Sequence, residues 1–180
     1  MVDGRDDGDL AERCVRGDAE AFAPLVERYQ RPLYTLALRM VGNPEDARDI
    51  TQSVFVKAFE KLSSFDRSYR FFSWIYRIGV NECLNFVSRR KPHEALHDDL
   101  AAFESPERHA AGRELSVGIE AALVRLPMEY RQIVVLRHFL DLSYDEIGDV
   151  LSLPEKTVKS RLHTARQLLA ESLRPWSEGR

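Results

Sequence analysis

No stretch of this 180-residue sequence alternates apolar and polar residues cleanly at the period of two that a half-buried strand requires. Its apolar residues recur instead at spacings of three and four. Each such stripe has to be buried against another helix, so the chain is confined to an all-α architecture. The punctuation between stripes is explicit. Gly17 ends a short helix over Leu10 to Arg16. Asp18 reads as the N-cap of a long helix reaching Val41, bent near Pro32. Gly42 then supplies the left-handed residue that terminates it. In Asn43-Pro44-Glu45-Asp46, the asparagine caps, the proline fits the first turn and the acids face the positive end of the helix dipole. That helix is expected to reach Leu62. Residues 63–69 read as loop. Further helices are expected over Arg70 to Arg90, over Arg113 to Leu126, and from Pro127 at the first helical position to about Leu140.

The most informative pattern lies in the last third. Ser143-Tyr144-Asp145-Glu146 has the form of a capping box. It starts a short helix that stops near Leu151. Ser152-Leu153-Pro154 forms a turn, and a second helix starts near Glu155 and continues past Leu169. Two helices joined by so short a turn make a helix-turn-helix. Gly148 falls inside the first helix at a cost of about 1 kcal/mol relative to Ala. Close approach of the second helix gives a reason to accept that cost. On a helical wheel, Val158, Leu162, Ala165 and Leu169 share the buried stripe. Lys156, Lys159, Ser160, His163, Thr164 and Gln167 share the opposite face and can donate to base edges and phosphates in a major groove. Arg161 flanks the stripe within reach of phosphates. An ordinary amphipathic helix with a solvated basic face is the plain alternative; the capping box, turn and glycine argue against it.

Charge is distributed unevenly. The formal net charge is −3, unusual for a protein that holds DNA tightly by itself. Residues 1–20 carry seven acids and three bases. Residues 67–91 carry six Lys or Arg against Glu82 alone, and residues 156–174 carry five against Glu171 alone. Two basic patches on an acidic chain imply two nucleic-acid contacts, each too weak to act by itself. Within the first patch, Phe71, Phe72, Trp74, Tyr76 and Phe86 alternate with Arg70, Arg77, Arg89, Arg90 and Lys91. Aromatic rings interleaved with cations suit unstacked single-stranded bases, although most of the rings have the alternative of being core. The preceding loop, with Phe65, Arg67 and Tyr69, can close over a flipped base. On the helix after Pro44, Ala47, Ile50, Val54, Phe55, Ala58 and Leu62 make one apolar face. Asp46, Asp49, Gln52, Ser53, Val56 and Glu60 lie opposite. An acidic face with an exposed valine is compatible with a protein-binding surface, as it is with simple solvation.

Other classes find little support. No apolar run is long enough to cross a bilayer and the acidic N-terminus has no signal-peptide core, so a cytoplasmic protein is expected. Cys14 and Cys83 belong to no CxxC and read as buried or half-buried thiols in a reducing compartment. His93 and His97 have helical metal-ligand spacing but no neighbouring ligands, so no metal and no cofactor is expected. No phosphate loop or nucleophile–base arrangement suggests an enzyme.

Three runs carry a family resemblance: DARDITQSVFVKAFEKLSSF, FSWIYRIGVNECLNFVSRRK and LPMEYRQIVVLRHFLDLSYDEIGDVLSLPEKTVKSRLHTARQLL. Together, in this order, they resemble a bacterial RNA polymerase sigma factor of the extracytoplasmic-function group. The resemblance spans about Asp18 to Leu173. It implies two small helical domains joined by a flexible linker: an N-terminal extension over 1–17, region 2 over 18–91, a linker over 92–112, region 4 over 113–175 and a tail over 176–180. Region 2 is expected to bind the β′ clamp helices of core polymerase through Asp46, Asp49, Gln52, Ser53 and Val56. It would also melt and capture single-stranded DNA at the −10 element, with Phe65, Arg67, Tyr69, Arg70, Trp74, Arg77, Asn81, Arg89 and Arg90. Region 4 is expected to bind the β flap tip and to read duplex DNA at the −35 element with Lys156, Thr157, Lys159, Ser160, Arg161, His163, Thr164 and Gln167. A separate anti-sigma factor and a monomeric free state are implied as well. The sequence departs from the family where Ser152 and Lys156 replace a frequent Gly, Thr164 a frequent Arg and Asn85 a frequent Asp, so its promoter preference is its own. A linker of about 20 residues spans at most roughly 70 Å, matching about 20 base pairs of duplex. A stand-alone helix-turn-helix regulator, dimeric to read paired half-sites, is the rival reading.

Overall fold

A computed structural model of the chain describes the backbone of residues 4–89 and 110–177, and the side chains of 7–89 and 118–174. Among the described residues all regular structure is helical: α1 (Gly4–Val15), α2 (Ala23–Val41), α3 (Pro44–Glu60), α4 (Phe71–Arg89), α5 (Ala110–Arg125), α6 (Met128–His138), α7 (Tyr144–Leu151) and α8 (Glu155–Ser177). Short 3-10 turns cover Ala19–Phe22 and Leu62–Ser64. Most of the expected linker, with His93 and His97, lies outside the described residues, and α5 begins at its C-terminal end.

The first half is built around α2, α3 and α4. Leu25, Leu33, Leu36, Met40, Ala47, Val54, Ala58 and Ile75 are almost wholly buried there. Each fully buried aliphatic side chain contributes about 1.5–3 kcal/mol. Asn43 caps α3 as its sequence predicts, its Oδ1 accepting from the Glu45 and Asp46 amides at 2.9 and 3.0 Å. Gly42 closes α2 with φ 82° and donates to the Leu38 carbonyl at 2.8 Å.

Two differences at the N-terminal end have identifiable causes. The long helix begins at Ala23, not after Asp18. Pro24 has no amide hydrogen and belongs in a first turn, while the Asp18 carboxylate is taken by Arg13 Nε and Nη2 at 3.0 and 2.7 Å. Residues 19–22 therefore form a 3-10 turn. Helix α1 starts well before Leu10, because its acidic residues are tied to distant partners. Asp7 is fully buried and accepts from the Tyr29 hydroxyl and from Arg28.

In the second half, Leu123, Ile133, Leu136, Ile147, Val150, Val158, Leu162 and Ala165 form the core. Pro127 stands as the N-cap of α6, with ψ 142°, one position before the helix. The two halves meet along a seam of α2 and α4 against α5, α6 and α7. Arg131 of α6 is buried there, donating to the carbonyls of Met40 at 2.6 Å, Leu126 at 3.1 Å and Val124. Arg39 of α2 pairs with the buried Glu120 of α5.

Candidate nucleic-acid interface

The helix-turn-helix consists of α7, the turn over 152–154 and α8. The capping box is complete: Ser143 Oγ accepts from the Glu146 amide at 3.3 Å, and the Ser143 amide donates to Glu146 Oε2 at 2.8 Å. Ser152 turns the chain with φ 55°. A Cβ on Gly148 would stand 2.7 Å from the Leu153 carbonyl oxygen. The close approach is thus made by the backbone of the turn, not by the second helix. Leu153 also donates its amide to the Gly148 carbonyl at 3.0 Å.

On α8, Val158, Leu162 and Ala165 are buried, Leu169 is half-buried, and Lys156, Lys159, Ser160, His163 and Gln167 are exposed on one side. Thr157, Arg161 and Thr164 are half-buried. Thr164 donates to the Ser160 carbonyl at 3.3 Å and Arg161 pairs with Glu129 at 3.4 Å. Lys159 pairs with Glu155, whose hydrogen bond holds the ammonium above its usual range, and lies 5.5 Å from the Tyr144 ring centroid. Tyr144 was not singled out in the sequence, because its contact with Lys159 is made across the turn.

The first basic patch is arranged differently. Tyr69 is exposed at the end of the loop, and Asn81 and Arg89 are exposed on α4; Arg90 lies outside the described residues. Phe65 and Trp74 are half-buried and packed on each other, ring centroids 5.5 Å apart, and both lie against the fully buried Phe71. Phe71 and Tyr76 are core, where burial raises the Tyr76 hydroxyl's pKa. The cations are engaged within the chain. Arg67 pairs with Asp9 and Glu12 of α1. Arg70 pairs with Glu146 at 2.6 Å. Arg77 donates to the carbonyls of Val150, at 3.3 Å, and of Asp149.

On α3, Asp49, Gln52 and Val56 are exposed and Asp46 is half-buried. Ser53 points into the α3–α4 seam, where its hydroxyl donates to Glu82 at 3.1 Å beside Lys57, which reaches Glu82 at 2.5 Å. Burial works to raise the Glu82 carboxyl, but these two donors hold it below its usual range. Phe59, three residues after Val56, is 47% exposed and extends the same surface. The sequence reading of this helix assigned Phe59 to neither face.

Comparison with known proteins places both halves of the chain in one family. The family model for sigma-70 region 2 matches residues 25–93, and that for sigma-70 region 4 matches residues 116–169. The chain is 36% identical to the ECF RNA polymerase sigma factor SigW of Bacillus subtilis, covering 91% of this chain and 94% of the relative. This chain belongs to the ECF sigma factors. Within that family it is also 34% identical to the RNA polymerase sigma-H factor of Pseudomonas aeruginosa, over 97% of each chain. The ECF RNA polymerase sigma-E factor of Escherichia coli is 34% identical, with 92% of this chain and 93% of the relative covered. CnrH, solved in complex with the cytosolic domain of CnrY, superposes with a TM-score of 0.73 at 27% identity, covering 93% of this chain and 97% of that one. The fold is shared as well with the sigma factor RpoE of Bartonella quintana, solved with the anti-sigma factor NepR, at TM-score 0.72 and 21% identity, over 88% of this chain and 98% of that one. As a sigma factor, the chain is an RNA polymerase-binding, promoter-specific initiation factor. No helix among the described residues is long and apolar enough to cross a membrane.

Proposed function

We propose that this sigma factor grips its promoter at two points. Helix α8 reads the −35 duplex, and α4 with its preceding loop captures the unstacked −10 strand. The observation that carries the proposal is the row of exposed donors on α8, Lys156, Lys159, Ser160, His163 and Gln167, standing opposite the buried Val158, Leu162 and Ala165. Thr157, Arg161 and Thr164 flank that row. On the −10 side the exposed groups are Arg67, Tyr69, Arg70, Arg77, Asn81 and Arg89, with Trp74 and Phe65 half-buried beside them, and Arg90 joins the set by its place in the sequence. The protein contributes no bond-making step: binding energy positions polymerase and stabilises the melted strand. Asp46, Asp49, Gln52 and Val56, extended by Phe59, dock on the β′ clamp helices, and region 4 docks on the β flap tip. Region 2 spans 18–91 and region 4 spans 113–175, with the linker over 92–112. The free protein is a cytoplasmic monomer held in check by an anti-sigma factor.

Co-purification with core polymerase and transcription in vitro from promoters mapped after overproduction test this reading. A chain that holds DNA tightly alone and ignores core polymerase contradicts it. Lys159→Ala and Ser160→Ala are expected to lower transcription from a −35-dependent promoter about tenfold each, as loss of one groove contact costs about 1–3 kcal/mol. Core affinity should be unchanged, and an equal loss of core binding would place the wrong face in the groove. Asp49→Arg reverses a charge on an exposed α3 position and is expected to weaken association with core at least tenfold. Unchanged affinity in a binding titration would remove Asp49 from the polymerase contact.

A further inference from the structure

The loop between α3 and α4 is shaped partly by its own residues. Asp66 Oδ1 accepts from the Ser68 amide at 2.9 Å, and the Asp66 carbonyl accepts from the Tyr69 amide at 3.0 Å. Phe65 packs on Phe71 and Trp74, with ring centroids 5.3 and 5.5 Å away. The tie to the rest of the molecule is Arg67. Its guanidinium reaches α1 and pairs with both Asp9 and Glu12. It also lies along the bare backbone of Gly8, where an added Cβ would stand 3.5 Å from Nε. Helix α1 is a firm anchor for it. Asp7 is fully buried and accepts from Tyr29 and Arg28, and Leu10 and Ala11 are buried with it. Simple electrostatics argues against acids in this place, because carboxylates beside a surface for a polyanion repel it. Exposed ion pairs contribute little to stability, so the pairing matters more for where the loop is held than for how firmly the chain folds.

We propose that Asp9 and Glu12 are positioning residues for −10 capture. Through Arg67 they hold the loop in the shape that presents Tyr69 and Phe65 to an unstacked base. A loop ordered in advance gives up less conformational entropy when the strand binds. The inference rests on the −10 assignment made above. Tyr69→Ala tests that assignment by itself, since it leaves Arg67 and both acids in place.

The test uses the full chain assembled with core polymerase. The probe is a labelled non-template single strand spanning the −10 element of a promoter mapped after overproduction, and anisotropy reads its binding. Asp9→Arg together with Glu12→Gln is introduced twice, once with Arg67 intact and once with Arg67→Glu. In the second background the charges of the tie are exchanged while its summed reach is kept. With Arg67 intact, the acid changes are expected to weaken strand binding about fivefold, the scale of two exposed ion pairs. In the Arg67→Glu background the same changes should tighten binding about fivefold. Affinity for core polymerase should stay constant in every variant. Charge alone would tighten binding in both backgrounds, because both gain positive charge. Tighter binding in both, or no change in either, would overturn the proposal. Weaker binding in both would overturn it as well, since the acids would then serve only to hold α1 in place. A Tyr69→Ala variant that binds the strand as tightly as the unaltered chain would instead remove the −10 assignment, and the proposal with it.

Discussion

Gly148→Ala is expected to destabilise region 4 by about 2 kcal/mol, lowering the melting temperature by roughly 4–8 °C for a chain of this size. Intrinsic propensity argues the other way, since alanine in a helix interior is favoured over glycine by about 1 kcal/mol. The contact decides the sign. The new methyl group would stand 2.7 Å from the Leu153 carbonyl oxygen, a backbone atom with no rotamer to yield. The turn has little freedom, because the Leu153 amide already bonds the Gly148 carbonyl and Ser152 is held in the left-handed region. The turn must therefore move, and α8 moves with it. Thermal melting of the full chain reads the stability. A −35 duplex titration should fall with it, while binding to core polymerase persists. A variant that melts higher than the unaltered chain would show that the turn adapts freely.

Arg131→Met should have the larger effect, a loss of about 3–5 kcal/mol in denaturant unfolding, since three carbonyls lose a buried donor at about 1–3 kcal/mol each. One guanidinium serves two helix ends. It caps the last carbonyls of α5 at Val124 and just beyond it at Leu126, and it reaches Met40 near the end of α2. Methionine matches the volume but leaves these carbonyls without that donor. Burial pushes the arginine's pKa down to about 10, so it stays charged at neutral pH and donates to all three carbonyls. Arg131→Lys retains the charge but not the forked geometry and should recover less than half of the loss. Full recovery by lysine would mean that charge, not geometry, holds the seam.

Much of the architecture was legible because its causes are local. The Asn43 cap, the Gly42 stop and the Ser143 capping box each involve residues no more than four positions apart, and all are present. The all-α class and the polarity of α8 followed from periodicity for the same reason. What was not legible depends on long-range partners. Helix α1 looked short because Asp7 and Asp9 resembled solvated acids, yet their partners are Arg28, Tyr29 and Arg67. Pro24 was the local signal for the delayed start of α2, and the attractive N-cap at Asp18 obscured it. The cost of Gly148 was legible, but its cause was assigned to the second helix, whereas the Leu153 carbonyl of the turn demands it, a contact set by the path of the turn. The cations of the first patch were expected to contact nucleic acid; their engagement within the chain by α1 and α7 was not legible.

Apart from the Glu120 and Glu146 carboxylates, the acceptors along the seam have one property in common. Met40, Val124, Leu126, Asp149 and Val150 all present main-chain oxygens to arginine side chains. A main-chain oxygen is the same whichever residue carries it, so substitution on the accepting side leaves these bonds chemically intact as long as the helices keep their paths. The bonds therefore depend on the identity of Arg77 and Arg131 and not on that of their partners. Chimaeras that exchange α7 between related chains should therefore keep the Arg77 contacts even when every side chain of that helix differs, whereas transplanting α4 without its arginine should lose them.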